Sequence, residues 1–446
     1  MPSPDREATR RIPIATRPIR GTVRPPGSKS LTNRYLVLAA LCRGDAVIRH
    51  PLRADDPDRL LAALETLGTI VRPEGDVLRI DGGDGRFPGG GAVDLGAGGT
   101  PVRFMLAAAG LARLPVDIDG TERMRARPIR DGVDLFRAAG GTVEFLDAPD
   151  RLPIRVRPSA ELVGGSIDVG RTASSQFVSA IMLVSPFTRD GVELRFAATP
   201  TSPTYLELTL DVLESVSASM TIERDDTGGL RRVRIEPSPI AGFDVEIEAD
   251  ASSAIYPAML AAGSPDGRIE ILGLGGSSRQ PDLAAIRALA DFGATVEMKA
   301  DRIVVSGPTR LRGARLDCTG FPDAAVGLAV LASVADGATM LTGLETLRIK
   351  ESDRIAALAI ELRKVGCHVV ESADAIEITP PDGRGEAVET RRIGTWDDHR
   401  IAMSFAVLGT LAEAVKNTGS TSGRTLSVTL NPPDRPVRPR NRDGSW

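Results

Sequence analysis

The chain has 446 residues, 42% of them hydrophobic and 26% charged, with a formal net charge of −4. That length exceeds what one core ordinarily organises, so two domains are expected, and the small acidic balance excludes a general attraction to nucleic acid, leaving anion binding to local basic clusters. No apolar run approaches the roughly 18 residues of a membrane helix, and no charged-then-apolar leader marks a secretory signal, so a cytoplasmic protein with no membrane partner is expected.

In chain order, the first 18 residues, with Arg10, Arg11 and Arg17 among prolines, read as a frayed leader. Pro26-Gly27 can form a turn, and Ser28 or Ser30 can cap a helix whose apolar run is 35–41. The start of that helix carries Lys29, Ser30 and Arg34. Free backbone N–H groups, the helix dipole and two cations favour phosphate or carboxylate there. A nucleotide P-loop is excluded, because Ser28 separates Gly27 from Lys29.

A weak repeat runs through the chain: an amphipathic helix, a small residue at its end, and an apolar residue three positions on that opens a strand. Helical stretches at 60–67, 135–139, 212–216, 286–292 and 360–365 lead to Gly68, Gly140, Ser217, Gly293 and Gly366. Val71, Val143, Met220, Val296 and Val369 then follow. The small residues are 72, 77, 76 and 73 positions apart. A helix C-cap needing a left-handed residue, followed by a strand folding back, explains the pattern. Two more charged clusters precede helical runs. Arg348-Ile349-Lys350-Glu351-Ser352-Asp353-Arg354 stands before 356–360, and Trp396-Asp397-Asp398-His399-Arg400 before another apolar stretch. Singly, each reads as a capped surface helix with solvated charges; three together point to one anionic ligand gripped from several sides. Cys42, Cys318 and Cys367 are odd in number, widely spaced and without metal-ligand spacing, so they read as reduced structural thiols.

Together the three charged segments resemble the 5-enolpyruvylshikimate-3-phosphate (EPSP) synthase family. Leu95-Gly96-Ala97-Gly98-Gly99-Thr100-Pro101-Val102-Arg103 is similar to its glycine-rich turn, and Arg125-Ala126-Arg127-Pro128-Ile129 to its Arg-Pro loop. Ala173-Ser174-Ser175-Gln176-Phe177, Asp250-Ala251-Ser252-Ser253-Ala254 and Pro322-Asp323-Ala324-Ala325 also resemble family motifs. The resemblance implies an α/β fold: a two-domain inside-out α/β barrel of repeated βαβαββ units, helices inside, with the active site in the interdomain cleft. One domain would span 25–248 and the other 1–24 plus 249–446, its sixth repeat atypical. A doubly wound nucleotide fold is the structural alternative, but no strand-linked Gly-x-Gly-x-x-Gly supports it.

The implied reaction transfers the enolpyruvyl group of phosphoenolpyruvate to the 5-hydroxyl of shikimate 3-phosphate, with no cofactor and no metal, in a monomer. By the resemblance Lys29, Asp323 and Glu351 are catalytic: Lys29 touches both substrates, Asp323 takes the 5-hydroxyl proton and Glu351 serves the methylene. Shikimate 3-phosphate would be held by Lys29, Ser30, Arg34, Ser174, Ser175, Gln176, Ser202, Tyr205, Asp323 and Lys350. Phosphoenolpyruvate would be held by Lys29, Gly99, Thr100, Arg127, Gln176, Arg354 and Arg400. His399 is either catalytic or structural. Ser174-Ser175 and Asp323 could instead be helix caps.

Ala97 and Thr346 stand where relatives carry asparagine, and Pro101 biases Thr100 away from the α region. The tail after Pro433 lacks the lysine with which relatives contact phosphoenolpyruvate, and whether Arg438 replaces it is left open by the sequence. These departures keep an impaired paralogue in view as the alternative, ahead of a UDP-N-acetylglucosamine enolpyruvyl transferase.

Overall fold

Parallel strands need a long crossover, and a helix is the usual one; that requirement organises this molecule. The computed structural model describes residues 10–15, 18–159, 162–381, 391–411 and 428–431. Among them, five four-stranded sheets share one plan. In the simplest case Gly165–Val169 runs parallel to Val192–Phe196, which pairs antiparallel with Leu230–Ile235, itself in a hairpin with Met220–Arg224. Helix Ser175–Val184 makes the crossover and Pro203–Ser215 leads to the hairpin. This is one βαβαββ unit.

The chain divides into two units, Pro26–Asp250 and Met1–Pro25 with Ala251–Trp446. Their boundaries follow from two opening strands that join sheets distant in sequence. Asp244–Glu246 pairs parallel with Asp45–Arg49 in the Pro26–Asp250 unit. Arg20–Val23 pairs parallel with Arg268–Leu272 in the other. The chain must therefore pass from one unit to the other twice.

Helices Lys29–Leu41, Gly99–Ala108 and Ser175–Val184 pack against one another in the Pro26–Asp250 unit. Ala251–Gly263, Pro322–Leu331 and His399–Leu411 do the same in the other. All six are apolar on nearly every face, as helices surrounded by protein must be. Helix ends bear out the repeat: Gly68, Gly140, Ser217, Gly293 and Gly366 all have positive φ, between +60° and +95°.

Two expectations are corrected. Arg10–Arg11 is not a frayed leader but a strand, antiparallel to Val428–Asn431 in a three-stranded sheet with Arg391–Gly394. It occupies the place that the hairpin strand takes in the other sheets, covering an otherwise open edge. Ala15 N–H also donates to the Thr410 carbonyl at 3.0 Å. Thr100 is helical despite Pro101, because Pro101 is the third residue of helix Gly99–Ala108, where no backbone donor is needed. The tail, Arg438 included, and any sixth-repeat helix near it lie outside the described residues.

Candidate active site

In the Pro26–Asp250 unit the polar groups gather at helix N-termini, where unpaired N–H groups remain. Ser28 caps helix Lys29–Leu41, its Oγ accepting from Leu31 N–H at 3.5 Å, and Asp250 Oδ2 accepts from Lys29 N–H at 3.0 Å. Lys29 Nζ donates to Asp56 Oδ2 at 3.2 Å. A Cβ placed on Gly98 would lie 3.1 Å from Asp56 Oδ1, so this ion pair adjoins the start of helix Gly99–Ala108. A Cβ on Gly99 would meet Arg127 Nη1 at 2.9 Å, so the guanidinium rests directly over that glycine.

Gln176 Nε2 donates to Thr100 Oγ1 at 2.8 Å, while its Oε1 accepts from Arg103 Nη1. Arg103 also lies over the Phe177 ring, 4.9 Å from its centroid. Ser174 caps helix Ser175–Val184, accepting from Gln176 N–H at 3.3 Å. Ser202 precedes helix Pro203–Ser215 in a left-handed conformation, φ +46°. Thr201 Oγ1 donates to the Thr172 carbonyl at 2.6 Å, tying that turn to the Ser174 loop.

Arg34 is deeply buried and spends four of its five N–H bonds inside the unit. Nε donates to Thr209 Oγ1 at 2.9 Å, Nη1 to the Ser30 carbonyl at 2.9 Å, and Nη2 to the Tyr205 carbonyl at 3.1 Å and Ser179 Oγ at 3.4 Å. It thereby joins helices Lys29–Leu41, Ser175–Val184 and Pro203–Ser215. Burial pulls its guanidinium down to about 10.

The other unit holds the denser cluster. Arg354, 1% exposed, is ringed by carboxylates. Nε donates to Asp398 Oδ2 at 2.8 Å, Nη1 to Asp323 Oδ1 at 2.8 Å and Nη2 to Glu351 Oε2 at 2.7 Å. Burial lowers the Arg354 guanidinium, but Glu351, Asp398 and Asp323 outweigh it and hold the charge firmly in place. Lys350 Nζ lies 3.2 Å from Asp323 Oδ1. Arg400 Nη1 donates to the Asp323 carbonyl at 3.3 Å, and its Nη2 lies 3.9 Å from Asp323 Oδ2 and 3.8 Å from Asp282 Oδ2. Burial raises the Asp323 carboxyl, but Lys350, Arg400 and Arg354 together drive it well below the ordinary carboxylate value. Burial likewise pulls the Lys350 ammonium down, with Asp323 opposing.

Asp398 is fully buried as a side chain. It accepts from Ser352 Oγ at 3.0 Å and from Arg400 N–H at 2.9 Å, besides Arg354. Burial raises its carboxyl; the charge and hydrogen bond of Arg354 overcome this and hold it low. His399 is exposed at the first residue of its helix.

The structure thus brings Lys29, Gly99, Thr100, Arg127, Ser174 and Gln176 together at helix starts in one unit, and Asp323, Lys350, Glu351, Arg354 and Arg400 in the other. Sequence reasoning gave no role to Asp56, Arg103, Asp282, Ser352 or Asp398. Arg103, Ser352 and Asp398 stood inside recognised motifs, and a carboxylate just ahead of a helix, as Asp398 is, was a readable cap. Asp56 and Asp282 carried no signal, because their importance lies in neighbours remote in sequence. Among the described residues no group of His, Cys, Asp and Glu has the arrangement of a metal site, and no helix is long and apolar enough to cross a membrane.

The fold is that of the enolpyruvyl transferases. It matches an EPSP synthase from Acinetobacter baumannii with a TM-score of 0.76 at 21% identity, covering 95% of this chain and 93% of that one. It matches the enolpyruvyl transferase NikO from Streptomyces tendae at 0.71 and 17%, with 95% and 93% covered. The sequence narrows this class. The family model for EPSP synthase (3-phosphoshikimate 1-carboxyvinyltransferase) matches residues 14–427, and the chain belongs to that family. It is 40% identical over 418 residues to the 3-phosphoshikimate 1-carboxyvinyltransferase of Laribacter hongkongensis, covering 91% of this chain and 93% of that protein. It is 38% identical over 397 residues to that of Methanoculleus marisnigri, covering 88% and 91%.

Proposed function

We propose that this protein transfers the enolpyruvyl group of phosphoenolpyruvate to the 5-hydroxyl of shikimate 3-phosphate, as a cytoplasmic monomer. The hydroxyl oxygen bonds to C2 of phosphoenolpyruvate as a proton is added to C3; C3 then loses a proton and the C2–O bond to phosphate breaks, releasing inorganic phosphate. The observation that carries this reading is the cluster in which Asp323 and Glu351 share Arg354, with Lys350 and Arg400 beside Asp323.

That cluster holds two carboxylates for proton traffic among cations suited to anionic substrates. Asp323 serves as base for the 5-hydroxyl and Glu351 exchanges the C3 proton. A carboxylate held low by three cations is a weak base. Substrate anions that engage Lys350, Arg400 and Arg354 offset that influence, and burial then raises the Asp323 carboxyl. Arg354, Arg400, Arg127, Lys29, Gln176 and the Gly99-Thr100 helix start hold phosphoenolpyruvate, a planar guanidinium fork suiting carboxylate and phosphate. Ser30, Ser174, Ser175, Ser202, Tyr205, Asp323 and Lys350 hold shikimate 3-phosphate, with Lys29 and Gln176 shared between substrates. Arg34 keeps one N–H for the same ligand while its other bonds fix three helices.

Phosphate release with both substrates present, and none with either alone, tests the assignment. Release that is independent of shikimate 3-phosphate would overturn it.

A further inference from the structure

Helix Arg354–Lys364 meets the segment 391–400 in two places. At its first residue Arg354 grips Asp398; two turns on, Glu361 reaches the same segment. Glu361 is 1% exposed, and glutamate is among the residues least often buried without partners. Its carboxylate accepts from Gly394 N–H at 3.1 Å, Trp396 Nε1 at 2.9 Å and Lys364 Nζ at 2.7 Å. The approach is close: a Cβ on Gly394 would lie 3.0 Å from Glu361 Oε1 and 3.3 Å from Trp396 Nε1.

What Glu361 holds is unusual backbone. Trp396 and Asp397 are consecutive and both left-handed, with φ +58° and +53°. L residues disfavour that region, a bulky one such as tryptophan most of all, and such a conformation persists only where the surroundings impose it. The turn closes with Asp398 N–H donating to the Thr395 carbonyl at 2.9 Å. The next residue, His399, starts the helix that carries Arg400. A turn disfavoured by its own sequence therefore sets the direction in which Asp398 and Arg400 leave the strand.

We propose that Glu361 is a positioning residue for the candidate site, holding the left-handed Trp396–Asp397 turn in the conformation that presents Asp398 and Arg400. The inference rests on the reading of Arg354 and Arg400 as phosphoenolpyruvate ligands. Glu361 touches no substrate in this scheme; it acts through the turn. Gly394 N–H bonds one oxygen and Trp396 Nε1 the other, so an amide, which keeps only one acceptor, sets an NH2 against one of these two donors, and the turn relaxes towards ordinary φ.

The test uses the full chain with Trp446→Phe, which leaves Trp396 as the reporter, since the chain has two tryptophans. Acrylamide quenching of Trp396, amide exchange across 394–400 and phosphate release against each substrate are measured for Glu361→Gln. Trp396→Phe, which deletes the Nε1–H bond to Glu361 and keeps a smaller aromatic ring, serves as a second, milder variant for exchange and kinetics. For Glu361→Gln, exchange should quicken about tenfold or more, with a clear rise in quenching. The phosphoenolpyruvate KM should rise about tenfold, while kcat and the shikimate 3-phosphate KM stay within about threefold. Trp396→Phe should move the phosphoenolpyruvate KM the same way by about threefold. An unmoved turn, a moved turn with unchanged phosphoenolpyruvate KM, or a fall confined to kcat and thermal stability would each overturn the proposal. If the parent chain releases no phosphate, the functional reading fails by itself. Exchange then decides the positioning role: faster across 394–400 in both variants upholds it, and unchanged exchange overturns it.

Discussion

Asp398→Asn isolates the contribution of one buried carboxylate. Asp398 gives Arg354 two contacts, at 2.8 and 3.3 Å, and is itself enclosed. Removing one partner of a buried ion pair costs about 3–5 kcal/mol, because the remaining charge is left uncompensated. Asp323 and Glu351 still face Arg354, which places the loss at the low end, about 3 kcal/mol. Asparagine keeps an oxygen for Arg400 N–H, so the helix cap survives the change. In a unit of about 220 residues, each kcal/mol moves Tm by about 2–4 °C, giving a fall of roughly 6–12 °C. Differential scanning calorimetry of the wild type and variant measures it. Ser352→Ala supplies the second arm, since Ser352 Oγ donates to the same carboxylate. Alone it should cost about 1 kcal/mol, and in the Asp398→Asn background clearly less, because the two share one network. A Tm fall under about 2 °C for Asp398→Asn, or full additivity with Ser352→Ala, would refute the argument that Arg354 is held by this carboxylate.

Asp323 and Asp398 both titrate below the ordinary aspartate value of 3.8 in the folded protein. Their stabilisation is therefore complete above that pH and lost as pH falls beneath it; acid titration by circular dichroism should show less loss below about pH 4 for Asp398→Asn than for wild type. Glu351→Gln and Asp323→Asn should each lower kcat about a hundredfold or more while shikimate 3-phosphate binding, followed by calorimetry, stays largely intact; a loss seen mainly in binding would make them ligand-positioning groups. Gly99→Ala forces a methyl to within 2.9 Å of Arg127 Nη1, so it should raise the phosphoenolpyruvate KM about tenfold with little change for shikimate 3-phosphate, and equal effects on both would show that Arg127 does not discriminate between them.

Local chemistry was readable from the chain alone. The helix ends at Gly68, Gly140, Ser217, Gly293 and Gly366 follow from a left-handed requirement that composition and spacing reveal. The helix starts at Lys29, Arg354 and His399 follow from polar clusters set before apolar runs. These are interactions among residues close in sequence, so pattern suffices. The N-terminal strand Arg10–Arg11 escaped because its partner, Val428–Asn431, lies at the other end of the chain. Asp56 beside Lys29, Asp282 near Arg400 and Glu361 beneath Trp396 escaped for the same reason: an isolated acidic residue looks solvated until folding brings a cation or an N–H to it. Residue types and spacing determined where helices begin and end and which cations gather at them. Only the tertiary structure decided which carboxylates those cations face and how the Trp396–Asp397 turn is held, because burial and Coulomb energy depend on distances that sequence separation does not encode.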